Sequence, residues 1–449
     1  MTDDITVGVL SLHSSKETKA ILNAADEMGY DTAWLREENT MISANDGRMT
    51  LEPDVDVIAN RLLLSSDEQP MEGVGLALTL SNLAPMLNEP MAATTALHKF
   101  ASAAVMAEAG VPIPDAVLAL SNDRLNEARK QFGDRAVYKT AIGTHGGGTW
   151  MVELDERVNA QVGSRHAFLQ EYLEHDAGRH HDLRVYVVGE QVVGAMNRYA
   201  PEGEWRTNVA LGGDVEDMTG KLPTEVRQMA LDAVEAIGLD YAGVDIVQGT
   251  DGYYVLEVNP TAGFRGLFKA SGVSPAPYIV QQAVEHAGGH VTDEEAKRRS
   301  DRLDDSRPTA MPAAPERKTA ENVVIGYIEE VVVLGTRGNK TVLAKSDTGA
   351  TRTSIDAELA AEIGTGPILE IVKIKSGSLK TGRSRPVVDL VVGIGGTQHT
   401  VTASVEDRSH MDYPVLLGRD ILKHYQVDVT HRADADYETD SEEEEQSEE

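Results

Sequence analysis

The run from Asp245 to Asn259, DIVQGTDGYYVLEVN, holds three oxygen-bearing side chains whose spacing suits cation binding. Glu257 and Asn259 stand two apart in a strand-like stretch, so both leave one face of it. Asp245 belongs to a preceding stretch of strand formers, and Gly249-Thr-Asp-Gly252 between them has the composition of a turn. Side chains alternate along a strand, so Asp245 shares that face only if the loop has an odd number of residues. The expectation is a three-residue loop, Thr250-Asp251-Gly252, with Gly252 left-handed and Asp245 opposite Glu257. Two carboxylates and an amide oxygen form a hard site suited to Mg²⁺ that also holds a nucleotide's phosphates. The same trio would also fit the exposed polar face of an ordinary hairpin.

Other elements must bring basic groups to such a site. Ala136 to Thr140 reads as a short strand carrying Lys139, followed by Gly143-Thr-His-Gly-Gly-Gly-Thr149. A glycine-rich loop lets backbone N–H groups approach phosphate oxygens while a lysine neutralises their charge, although a plain flexible turn has the same composition. Lys99 lies in a helical pattern from Thr94 to Ala109, ended by Gly110 and Val111-Pro-Ile-Pro; a lone helical lysine is ordinarily solvated. Strands follow at Phe168 to Leu173, Asp182 to Val188 and Gln191 to Arg198. His175, His180 and His181 cluster before Asp182, but their spacing fits no usual zinc site and reads as a solvated loop.

The chain has 449 residues, enough for two to four domains. Ile5–Leu10, Thr32–Leu35 and Val55–Ala59 read as strands around a helix from Lys16 to Gly29, a βαβ-type parallel sheet over roughly the first 90 residues. No phosphate-binding glycine pattern follows the first strand. With no cysteine, there is no disulfide framework, thiol nucleophile or cysteine-ligated zinc. No apolar run reaches 18 residues and the N-terminus lacks signal-peptide features, so a soluble cytoplasmic protein is expected, without membrane association. Asp and Glu number 73 against 41 Lys and Arg, a net charge of -32 spread along the chain. Such charge repels nucleic-acid backbones and points to a cell with high internal salt or, alternatively, to a basic partner.

Taken in order, Lys99; Lys139 with Gly143–Thr149; Gln170-Glu-Tyr-Leu173; Asp182-Leu-Arg184; Arg206-Thr-Asn208; Gly243-Val-Asp245; and Leu256-Glu-Val-Asn-Pro260 resemble the ATP-grasp superfamily. Within it they are most similar to RimK-like ligases, which add glutamate through an α-linked peptide bond. The resemblance covers about residues 90 to 275. It implies an α/β and α+β architecture: a parallel-sheet pre-ATP-grasp domain over 1–90 and an ATP-grasp domain over 91–290. It also implies ATP with Mg²⁺ or Mn²⁺. Lys99 and Lys139, with Gly146 and Gly147, would hold the phosphates; Glu171 and Tyr172 the adenine; Asp182 and Arg184 the nucleotide. Arg206, Thr207 and Asn208 would reach the phosphate and acceptor region, with Arg206 catalytic, and Asp245, Glu257 and Asn259 would bind the metals. The implied partners are glutamate and a carboxylate acceptor, either a protein C-terminus or a small molecule. Another amino acid or an amino-carrier protein remains the alternative, because Leu211 stands where many members carry a basic residue before two glycines.

Residues 291–322 are rich in charge, Pro and Ala and read as a flexible linker; 323–431 read as a small β domain, and 432–449 as a disordered acidic tail. Leu343–Ile355, around Asp347-Thr-Gly, and Val415–Leu422 resemble the two signatures of retropepsin-like aspartic proteases. The likeness is closest to the small barrel domains associated with RimK ligases, which also carry the name ATP-dependent zinc protease. Zinc gains little support, because His399, His410 and His424 lack ligand spacing. Asp347 is the implied catalytic residue, and since the chemistry needs two carboxylates, a single Asp-Thr-Gly calls for a homodimer at least. The alternative is a non-catalytic dimerisation or binding module.

Overall fold

The computed structural model describes residues 5–64, 70–143, 148–162, 165–174, 179–200, 205, 207, 214–312, 323–365, 368–374 and 383–434. The chain forms two compact units, Met1–Pro315 and Glu316–Glu449.

The first unit begins with β1 (Thr6–Leu10), α1 (Lys16–Glu27) and β2 (Asp31–Leu35). With β5 (Val57–Asn60) and β6 (Met86–Leu87) these strands form a parallel sheet in the order β2-β1-β5-β6. Ser15 starts α1 by accepting a hydrogen bond from the Thr18 amide at 3.0 Å. The helix buries Ala20, Ile21, Ala24 and Ala25 with Val7, Val9 and Trp34. An unanticipated hairpin, β3 (Met41–Asn45) and β4 (Arg48–Glu52), interrupts the βαβ pattern. Asp46 (φ 51°) and Gly47 (φ 73°) both take positive φ, as a tight two-residue hairpin turn requires.

After α2 (Pro70–Ser81), the single helix expected from Thr94 to Ala109 is two helices, α3 (Pro90–Leu97) and α4 (Lys99–Glu108). His98 breaks the run with φ -89° and ψ 95°, and its imidazole accepts from the Ala101 amide at 3.1 Å. The cap fixes where the second helix starts, which puts Lys99 on its first turn.

A second sheet is antiparallel: β7 (Ala116–Leu118), β8 (Arg135–Thr140), β9 (Thr149–Glu153), β10 (Gln161–Val162) and β11 (Arg165–Glu171), with α5 (Asn122–Arg129) against it. The third comprises β12 (His181–Val188), β13 (Gln191–Tyr199), β14 (Val215–Asp217), β15 (Tyr241–Gln248) and β16 (Tyr253–Asn259), in the order β14-β13-β12-β15-β16. Strand alternation gives this sheet two apolar faces. Val185 and Val187 face α6 (Thr224–Ile237), while Tyr186 and Val188 join the core that holds α1 and α8 (Ala276–His286), just past α7 (Arg265–Ser271).

The expected linker from 291 is ordered at its start. Thr292 caps α9 (Asp293–Arg299), Val291 and Ala296 are buried, and the Asn23 side-chain amide donates to the Asp304 carbonyl at 3.0 Å. Few apolar residues suffice to dock so short a helix, which explains why its polar composition reads as linker. Residues 313–322 lie outside the described residues, as does the acidic tail from 435.

The second unit contains β17 (Val324–Gly335), β18 (Gly338–Ser346), β19 (Ser354–Asp356), α10 (Ala357–Ile363), β20 (Ile368–Ile374), β21 (Arg383–Ile394), β22 (Thr397–Glu406), β23 (Val415–Leu417), α11 (Arg419–Leu422) and β24 (Gln426–Arg432). Its strand order is β20-β21-β22-β19-β23-β18-β17-β24, and β17 also pairs with β21. That extra pairing closes six strands into a barrel around Val331, Val333, Leu390 and Val415.

Candidate active site

The β15–β16 hairpin places Asp245 directly opposite Glu257, as expected, but by another route. Gln248 pairs with Tyr253 and the Gly249 amide donates to the Gly252 carbonyl at 2.8 Å, so the loop proper is the two-residue Thr250-Asp251. An even loop alone would put Asp245 on the wrong face. A bulge between Asp245 and Ile246, with Leu256 as the extra residue on β16, restores the parity. Gly252 has φ 150°, not the left-handed helical value of about 57°. Gly243, opposite Asn259, is held to glycine by space: an added Cβ would lie 2.6 Å from the Ala262 methyl.

The three side chains converge. The Asn259 amide nitrogen lies 3.2 Å from Glu257 Oε1 and 3.4 Å from Asp245 Oδ2. Lys99, on the first turn of α4, ion-pairs with Glu257. Burial alone would raise the Glu257 carboxyl, but the charge and hydrogen bond of Lys99, backed by Lys139 and Arg184, hold it well below the usual carboxylate range. Lys139, on β8, donates to Gln170 Oε1 at 2.5 Å. Burial, then the like charge of Lys99, push Lys139 down to about 8 against the opposing pull of Glu257 and Asp245.

Asp245 is embedded more deeply than the sequence suggested. Arg184 forks onto both of its oxygens at 2.6 Å, and Arg198 reaches it at 2.9 Å. Arg198 also forks onto Asp182 at 2.7 and 2.5 Å, and Thr207 donates to the same carboxylate. Burial disfavours an ionised Arg198, but Asp182 and Asp245 outweigh it and hold the guanidinium well above its ordinary value. Asp182, expected at the nucleotide, therefore already has three hydrogen bonds within the protein.

Sequence reasoning missed Arg198. A simple hairpin from the Val188–Gln191 pair would put Asn197 opposite Asp182; a register shift between Tyr186 and Val187 puts Arg198 there.

Lys99, Lys139, Glu171, Tyr172, Asp182, Arg184, Thr207, Asp245, Glu257 and Asn259 all line one cavity of about 570 Å³. Tyr172 lies under the Arg135 guanidinium, 5.4 Å from it, and the Asp115 amide meets Glu171 at 3.4 Å. Gly146, Gly147, Arg206, Asn208, Leu211 and His175 lie outside the described residues. His180 and His181 line the same cavity.

Curated relatives are similar to a little under half of the chain. A probable α-L-glutamate ligase of Citrobacter koseri is 34% identical over 207 residues, 45% of this chain and 68% of the relative. One of Thioalkalivibrio sulfidiphilus is 35% identical over 217 residues, 47% of this chain and 71% of the relative. The ribosomal protein bS6–L-glutamate ligase of Salmonella paratyphi B is 34% identical over 207 residues, 45% and 68% of the two chains. Residues 96–283 match the RimK-like ATP-grasp domain.

The chain belongs to the RimK-like ATP-grasp family. It is a ligase that joins carbon to nitrogen. The fold is shared with the ATP-grasp ligase PsnB, solved with a minimal precursor variant, Mg and ADP: TM-score 0.51 at 20% identity, covering 63% of this chain and 99% of PsnB. The RimK-like ligase also carries a match to the retropepsin-like aspartic endopeptidase RimB over residues 361–437.

Asp347 lies before that matched stretch, where β18 ends. Its Oδ1 accepts from the Gly349 amide at 2.8 Å and the Ala350 amide at 3.2 Å. The second signature interlocks with this turn: Arg419 donates to the Thr348 carbonyl at 3.1 Å, and Asp420 accepts from the Thr353 hydroxyl at 2.8 Å. His399 and His424 stack at 5.1 Å, and His399 is bonded to the Tyr425 hydroxyl at 2.6 Å. Among the described residues no three His, Cys, Asp or Glu side chains form a metal-binding group; the Asp245 set has two carboxylates and an amide. Among them, too, no helix is long and apolar enough to cross a membrane.

Proposed function

We propose that the RimK-like ligase uses ATP to activate an acceptor carboxylate and joins it to the amine of L-glutamate, forming an α-linked amide. The supporting observation is the convergence of Lys99 and Lys139 on the Asp245–Glu257–Asn259 face of one cavity. The acceptor carboxylate attacks the γ-phosphorus and ADP leaves; the amine then attacks the acyl carbon, inorganic phosphate departs and the amine's proton is released. Lys99 and Lys139 neutralise charge on the phosphates, and Arg184 and Arg198 hold Asp245 in place. Glu171 and Tyr172 meet the adenine, while Thr207, with Arg206 and Asn208, attends the phosphate and acceptor.

The donor set fits Mg²⁺ or Mn²⁺: a carboxylate has about four lone-pair sites, so Asp245 can accept from two arginines and still ligate a cation, and an amide can present its oxygen. Such a cation would neutralise the β- and γ-phosphates. The acceptor is a protein C-terminus, in keeping with a relative named for ribosomal protein bS6. The net charge of -32 fits a cytoplasm of high salt. The barrel is proposed as half of an aspartic peptidase, two chains each supplying one Asp347. A second reading, a non-catalytic binding barrel, is favoured by a RimB match that begins at residue 361, after Asp347.

Phosphate release in high-salt buffer with Mg²⁺, glutamate and peptide acceptors tests the ligase. Acceptor-dependent release, a product heavier by glutamyl units and loss of both in Glu257→Ala support it; folded protein that binds no ATP overturns it.

A further inference from the structure

The cavity has an end that the nucleotide and its cation do not account for. The parallel sheet reverses direction of growth between β1 and β5, and in open parallel sheets the crevice beyond the carboxyl ends of such strands is where ligands bind. His13 and Ser15 after β1, and Arg61 and Leu63 after β5, line the cavity there. Ser15 is the N-cap of α1, so a helix N-terminus opens onto the same crevice.

Arg61 is the unusual group. Only 4% of it is exposed, yet among the described residues no carboxylate ion-pairs with it, and its Nε and Nη1 have no hydrogen-bond partner. Its Nη2 donates to the Thr261 carbonyl at 3.2 Å, and its guanidinium lies 5.4 Å from the Phe264 ring. The Tyr241 hydroxyl nearby gives its proton to the Asn60 carbonyl at 2.7 Å, adding a dipole but no charge. A buried guanidinium without an anion is costly, and its fork matches a carboxylate. Thr261 follows Asn259 by two residues, a span of at most about 7 Å of chain, so this end adjoins the proposed phosphate-transfer centre.

We propose that Arg61, with the α1 N-terminus, binds a non-reacting carboxylate of the incoming free amino acid. A small zwitterion fits this depth better than a chain end, which must trail a polypeptide behind it. Glu17, in the first turn of α1, lines the same end and suits the cationic amine; its Oε1 accepts from the Phe264 amide at 3.4 Å. The inference rests on the ligase reading and adds the residue that selects the amine substrate.

The test compares full-length parent, Arg61→Gln and Arg61→Lys, using glutamate, its α-amide and its γ-amide as amine donors. Hydroxylamine trapping of the acyl phosphate reports the first half-reaction separately. Expected for Arg61→Gln is a KM for glutamate raised on the order of 10- to 100-fold, the loss of a charge-assisted hydrogen bond, with trapping and ATP affinity within about threefold of the parent. Arg61→Lys restores part of the loss. One of the two amides is a poor donor for the parent and suffers no further penalty in Arg61→Gln. An unchanged KM for glutamate in Arg61→Gln, or equal penalties for all donors, overturns the proposal. A parent that traps no acyl phosphate with any acceptor instead overturns the ligase reading. If Arg61→Gln loses ATP binding, Arg61→Lys decides alone: parent-like discrimination between glutamate and both amides, at parent KM, overturns the proposal, and a selective rise in KM for glutamate supports it.

Discussion

Arg198 on β13 faces Asp182 on β12 through a two-pronged pair at 2.7 and 2.5 Å, and the same guanidinium reaches Asp245 at 2.9 Å. Asp182 and Arg198 are 6% exposed each, so neither has water to fall back on. Arg198→Met strands Asp182 and half-releases Asp245. The expected loss is about 3–5 kcal/mol of stability, because breaking a buried pair leaves an uncompensated charge. Urea unfolding of parent and variant measures it, and a loss below about 1 kcal/mol would show the pair to be dispensable.

Lys139 sets a pH dependence. Its folded value near 8 lies below the ordinary lysine value, so in the free protein the proton is present below about pH 8 and lost above it. In the proposed ligase reading, phosphate binding needs that proton. ATP affinity should hold steady below about pH 8 and then fall by up to tenfold per pH unit. Calorimetric titration from pH 6.5 to 9.5 measures the bend; in Lys139→Arg, always charged, it should vanish.

Glu257→Gln keeps the shape of the cluster and removes one charge. It should cost on the order of 100- to 1,000-fold in acceptor-dependent ADP formation and raise the Mg²⁺ requirement. Rates across a Mg²⁺ titration check this, and a parent-like Mg²⁺ curve would remove Glu257 from the cation site.

Asp347→Asn should abolish cleavage of glutamyl peptides while ligation proceeds at the parent rate. Product analysis with each substrate separates the two, and cleavage that survives the substitution assigns the barrel another role.

With a charge of -32, the chain repels itself at low ionic strength. Melting temperature should climb as KCl rises from 0.1 to about 3 M, where the screening length falls below about 3 Å. A flat or falling melting curve would count against adaptation to high salt.

The strands around the cavity and several of the residues that line it were legible because they depend on local pattern: alternation in β15 and β16, a lysine beside glycines, a carboxylate on each of two neighbouring strands. Register was not legible. Both site hairpins, β12–β13 and β15–β16, contain a one-residue shift that no turn composition announces. In one the shift compensated a wrong loop length, so Asp245 met Glu257 anyway; in the other it hid Arg198. The His98 break escaped notice because both flanking helices carry helical patterns and the cap is a histidine, outside the usual Ser, Thr, Asp and Asn signal. Arg61 follows an apolar strand, and only three-dimensional neighbours reveal that its charge is unmatched.

Leu256 now takes on a meaning beyond its own side chain. A relative in which β15 and β16 paired without the bulge would set Leu256 opposite Asp245, with Glu257 and Asn259 turned to the other side of the sheet. Such a relative would align well while lacking the proposed cation face altogether. The scaffold and the proposed cation face are thus separable, and one position on a strand is where they part.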